Sequence, residues 1–115
     1  MPVWHKSLKD RFSTFPKYQQ LLMIANELNR ADNMRAVANE YKHALERALE
    51  LMDFLSYDKR WTHQRRELRR AREWTAMLYA DPHPQSTKLL QRCLIQLSGD
   101  AWKFSGIGPK LSAHK

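Results

Sequence analysis

The chain contains three glycines, and none precedes Gly99. A glycine-rich phosphate-cradling loop is therefore excluded from everything before that point, because such a loop needs residues without a Cβ where the backbone approaches its ligand. Cysteine is confined to Cys93, so no internal disulfide forms and nothing points to an oxidising compartment. β-Branched residues are scarce, with two Val, three Ile and four Thr against fifteen Leu and eleven Ala. That balance disfavours strands and favours helices. The longest strongly apolar run, Leu21-Leu22-Met23-Ile24-Ala25, falls far short of a membrane span. The opening Met-Pro-Val-Trp-His-Lys has neither the apolar segment nor the small-residue cleavage site of a secretory signal. These absences predict a cytoplasmic protein with no membrane role.

What is present fits a small helical core. Of the 115 residues, 43% are apolar, too many for a disordered chain, and the length suits one core better than two. The expected organisation is a helical domain over 1–98 and an irregular C-terminal tail over 99–115. Lys and Arg outnumber Asp and Glu by 20 to 12, a net charge of +8, which fits contact with an anionic surface.

From Lys17 to Asp81 there is neither Gly nor Pro, yet the apolar positions change phase twice. Tyr18, Leu21, Leu22, Ala25 and Leu28 share one helical face. Met34, Val37, Tyr41, Ala44, Leu45, Ala48, Met52 and Leu55 share a second, and Trp61, Leu68, Ala71, Thr75 and Leu78 a third. Each stripe lies about half a turn from the one before if the helix is unbroken, at ~100° per residue. Breaks near Asn29–Asn33 and Ser56–Lys59 return all three stripes to one core, with Asp32 or Asn33 and then Asp58 as N-caps. Pro82 and Pro84 end the third helix. A fourth helix carries Leu89, Leu90, Cys93, Leu94 and Leu97 on one face and stops at Gly99. Trp4, Leu8 and Phe12 recur every four residues, as in a short amphipathic helix ahead of Pro16. The predicted fold is all-α, an antiparallel up-down four-helix bundle with helices over about 17–30, 33–56, 59–80 and 85–98 and a long central hairpin.

One segment stands out chemically. From Asp58 to Trp74 there are seven basic and three acidic residues, half the net charge of the chain. Arg65, Arg69 and Arg72 follow i, i+4, i+7 and form one ridge; Arg66 and Arg70 form the next. Rows of guanidinium groups grip phosphates through paired N–H donors, with an affinity that falls steeply with salt. The candidate nucleic-acid contacts are Lys59, Arg60, Arg65, Arg66, Arg69, Arg70 and Arg72. Trp61 or Trp74 would stack on an unpaired base. A solvated arginine-rich face is the plainer reading of the same residues. The acidic Glu46, Glu50 and Asp53 are expected mostly on the outer face of the second helix, so that they neutralise the ridge only at range.

Enzyme chemistry finds little footing. Glu40 and His43 have the Glu-x-x-His spacing of di-iron bundles, but it occurs once on a helix, and His43 points away from the apolar stripe. Cys93 is expected on an apolar face, where a thiolate is disfavoured. No serine lies in a nucleophile-elbow context. The expected function is a non-catalytic binding or accessory protein without metal or cofactor, meeting RNA or DNA backbone through its third helix. The alternative is a protein–protein or homo-oligomerising module with no nucleic-acid role, using Trp102 and Phe104 of the tail as contacts.

Overall fold

A computed structural model of the chain describes residues 6–97, with side chains from residue 9 onward. The described residues are helical, with no strand among them: α1 (Lys6–Thr14), α2 (Lys17–Asn33), α3 (Ala38–Leu55), a 3₁₀ segment (Lys59–Gln64), α4 (Arg65–Ala80) and α5 (Lys88–Ile95). Trp4, the side chain of Leu8, and the tail with Trp102 and Phe104 lie outside the described residues.

The helices pack in a ring, α2 on α3, α3 on α4, α4 on α5 and α5 back on α2. Side-chain pairs show the directions. Lys42 and Glu46 of α3 both meet Tyr79 of α4, while Asp53, further along α3, meets Arg72, earlier on α4. Arg47 of α3 meets Glu27 of α2, and Gln64, just ahead of α4, reaches back to Lys17 at the start of α2. Gln64 also donates to the Leu97 carbonyl beyond the end of α5. Neighbours thus run in opposite senses around an all-α bundle.

Both breaks are present, and each is made by backbone chemistry. At the first, the Met34 amide donates to the Arg30 and Ala31 carbonyls, and the Val37 amide to Met34. Neither expected cap is used: α2 runs on through Asp32 and Asn33, and α3 starts after an extended Val37 with no side-chain cap. Asp32 is occupied elsewhere, accepting from the buried Thr87 amide and facing Lys88 and Arg35. With 17 residues α2 is about as long as α3 (18) and α4 (16), so α5, with 8, is the one short member of the ring, and α3 and α4 are not an isolated long hairpin. At the second break Asp58 accepts from the Arg60 amide, as an N-cap should. Two turns of 3₁₀ helix follow before the α-helical hydrogen bonding begins at Arg65. Asp81 is extended, as a residue before proline must be.

The core holds Leu21, Ile24 and Leu28 of α2, Tyr41, Leu45, Leu51 and Leu55 of α3, Leu68, Ala71 and Leu78 of α4, and Leu90, Leu94 and Ile95 of α5. Phe12 of α1 is buried against Phe54, 5.8 Å between ring centroids, so α1 covers an aromatic that lies off the main stripe of α3. Val37, assigned to the α3 stripe by periodicity, is exposed because it sits in the turn. The face of α5 differs more. Gln91 and Ile95 are buried, while Leu89 and Cys93 are exposed. The rotation is stabilised by polar pairing: the Gln91 amide donates to Thr87 Oγ1, and the Thr87 hydroxyl to the Leu28 carbonyl.

Candidate nucleic-acid interface

The arginines predicted as one surface divide into three groups. Arg60 is a structural clamp. Its guanidinium donates to the Phe15 and Ser13 carbonyls, both at 2.9 Å, and to Asp58 Oδ2 at 2.7 Å. It thereby ties the 3₁₀ segment to the α1–α2 turn, with its donors spent on the fold. The Asp58 carboxyl is held down to about 2, first by the Arg60 side chain, then by the Arg60 amide and Gln20, against the opposing effect of burial.

Trp61, expected at the surface as a stacking group, lies in the core instead. It is fully buried, and its Nε1–H donates to Gln20 Oε1 at 2.7 Å. The Lys17 ammonium lies 4.5 Å from the centre of its ring. Its face is therefore closed to a base. The physical cause is the 3₁₀ turn, which delivers the indole inward onto α2, in keeping with its place on the apolar stripe. Lys59, beside it, is exposed.

Arg72 is half-committed. Nε and Nη2 donate to the two carboxylate oxygens of Asp53, at 2.6 and 3.2 Å. The acidic residues of α3 are thus nearer than expected: Asp53 pairs directly with Arg72, Glu46 accepts from the Tyr79 hydroxyl at 2.6 Å, and Glu50 is buried. The Glu46 contact raises the Tyr79 pKa, with burial adding in the same direction.

Arg65, Arg66, Arg69 and Arg70 form the third group. All four are exposed, and none has a hydrogen-bond or ion-pair partner among the described residues. They occupy the first two turns of α4, around the buried Leu68 and Ala71. On one side Arg65, Arg69 and Arg72 line a shallow cleft of about 170 Å³ floored by Met52 and Leu68, with Asp53 and Ser56 at its wall. On the other, Arg70 stands at the rim of a larger groove between α4 and α5, about 450 Å³. That groove is lined by Ala71, Trp74, Leu90, Cys93, Leu94 and Leu97, with Glu67 and Gln96 at its edges. Cys93 is exposed there, contrary to the expectation of a buried thiol.

Glu40 and His43 are both exposed on α3, and among the described residues no group of three His, Cys, Asp or Glu side chains could hold a metal ion. No helix among the described residues is long and apolar enough to cross a membrane. Comparison with protein-family models, curated proteins and solved structures found no significant match to this chain.

Proposed function

We propose that the protein is a non-catalytic binding or accessory factor that meets the phosphate backbone of RNA or DNA through the first two turns of α4. One observation carries the reading. Four arginines, Arg65, Arg66, Arg69 and Arg70, lie exposed on one stretch of helix with no partner among the described residues, while their neighbours Arg60 and Arg72 are tied to carboxylates. A fold that only needed soluble surface gains little from a run of unneutralised like charge, which repels itself along a helix at i, i+4. A polyanion removes that repulsion and releases its own counterions. Arg65 and Arg69, one above the other beside Ser56, present donors in the forked geometry that phosphate oxygens accept.

The test compares two triple variants of equal charge. Arg66, Arg69 and Arg70 are changed to Ala in one; Lys9, Arg11 and Arg92, exposed on α1 and α5, are changed in the other. Anisotropy of a labelled mixed-sequence oligonucleotide at low salt reads the affinity. The α4 variant is expected to lose about tenfold or more, and the control much less. Equal losses would mean that net charge alone attracts the nucleic acid, and the site would fall.

A further inference from the structure

Resting on that reading, we infer that the groove between α4 and α5 receives an unpaired base against Trp74, so that the preferred ligand is single-stranded nucleic acid. Burial removes Trp61, which leaves Trp74, half-buried and four residues after Arg70, as the indole of α4; the other half-buried aromatic of that helix, Tyr79, is held by Glu46. Trp74 is half-buried, packed against the core, and makes no hydrogen bond to any described residue. It stands one turn beyond Arg70, and both line the same groove. A base seated there would rest on the Trp74 ring and on the apolar floor of Ala71, Leu90 and Leu94, with its flanking phosphate beside Arg70 and the next phosphate within reach of Arg66, one turn earlier on α4.

The groove has the makings of a site for a flat, partly polar ligand. At about 450 Å³ it falls in the range of small-ligand pockets, with mostly apolar walls and a few polar groups. Glu67, at its edge, accepts from an exocyclic amino group, and the Gln96 amide both donates and accepts. Charge complementarity selects this occupant over an apolar peptide: the exposed guanidinium groups of Arg66 and Arg70, without a partner among the described residues, attract anions, which a nucleotide brings with its base. A duplex would have to unstack a base to use the groove, whereas a single strand offers bases already free.

Affinity is measured for a short mixed-sequence oligoribonucleotide and for the duplex it forms with its complement, using the full chain. Trp74→Ala should weaken single-strand binding roughly tenfold or more, leave duplex binding in place and leave the salt dependence unchanged, because stacking releases no counterions. Cys93 supplies a second readout that needs no substitution. Bound single strand should slow its alkylation by N-ethylmaleimide, and prior alkylation should erase the preference for single strand. Equal affinity for both forms, with Cys93 unprotected and Trp74→Ala silent, overturns this inference and leaves the backbone reading standing. Failure to bind either form overturns both. If Cys93 resists alkylation before RNA is added, and Trp102→Ala with Phe104→Ala releases it, the tail fills the groove and the inference falls.

Discussion

Asp58 receives the Arg60 amide, the Arg60 guanidinium and the Gln20 side-chain amide, and with them the α1–α2 turn is fastened to the start of the 3₁₀ segment. Its carboxyl is depressed from 3.8 to about 2 by the Arg60 side chain foremost. A depressed acid stabilises the fold only while ionised. The contribution is complete above the unfolded value and is lost as pH falls through the folded one. Stability is therefore expected to decline between pH 3.8 and about 2 by up to about 2 kcal/mol from this group. Asp58→Asn should lose that amount already at neutral pH and show a flatter profile below pH 4. Urea unfolding followed by circular dichroism across that range checks it, and parallel profiles for the two proteins would refute it. Asp32 adds to the trend in the same direction: burial opposes its ionisation, but the Thr87 amide, the Ser86 hydroxyl, Arg35 and Lys88 together prevail. Of these contacts only the cap was legible in the sequence, because a cap is local. The carbonyls of Ser13 and Phe15 that hold Arg60 lie 47 and 45 positions away, and no local pattern marks a guanidinium whose acceptors are brought by another turn.

At the scale of the elements, phase decided what could be read. The stripes of α3 and α4 ran long enough for their direction to be unambiguous, and the buried residues Tyr41, Ala44, Leu45, Ala48, Leu68, Ala71, Thr75 and Leu78 lie on them. In α5 the 8 residues give barely two turns, and Leu90 and Leu94 serve equally as the centre or the edge of an apolar face. What turned the helix was Thr87, whose hydroxyl donates to Leu28 and accepts from Gln91 in a buried setting. Thr87→Val keeps the shape and removes both bonds, leaving the Gln91 amide short of a partner. A loss of about 1–3 kcal/mol is expected. Thr87→Ser should recover most of it. The shift in the urea midpoint measures both, and an unchanged midpoint for Thr87→Val would show that the polar pair does not set the rotation of α5. The first break was legible to within about five residues, and its displacement has the same origin: Asp32 was drawn away from capping by a partner across the bundle.

Over the whole molecule, the excess positive charge divides into cations that hold the fold and cations that do not. Arg60 and Arg72 have carboxylate partners, and Arg47 pairs with Glu27 at 3.1 Å; Arg65, Arg66, Arg69 and Arg70 have none among the described residues. Stability should respect this division. Arg60→Ala is expected to cost about 1–2 kcal/mol, moderated by its partial exposure. Replacing Arg66, Arg69 and Arg70 together should change stability by no more than roughly 0.5 kcal/mol per site, and relief of repulsion favours the stabilising direction. Thermal unfolding distinguishes the cases, and a triple variant that melts well below the parent would assign those arginines to the fold. The clustering of the arginines was visible in the sequence from their spacing. Which of them remain without partners was not, since that depends on where Asp53 and Asp58 come to rest.

The dependence of binding on salt tests the central claim most directly. The logarithm of the association constant for a mixed-sequence single strand is measured against the logarithm of salt concentration, for the parent and for the variant with Arg66, Arg69 and Arg70 changed to Ala. Each phosphate contact contributes about 0.7 to the slope for a single strand, so the variant's line should be shallower by about two units. Parallel lines, or a parent that fails to bind at low salt, would contradict the assignment of the unpaired arginines of α4 to a nucleic-acid backbone.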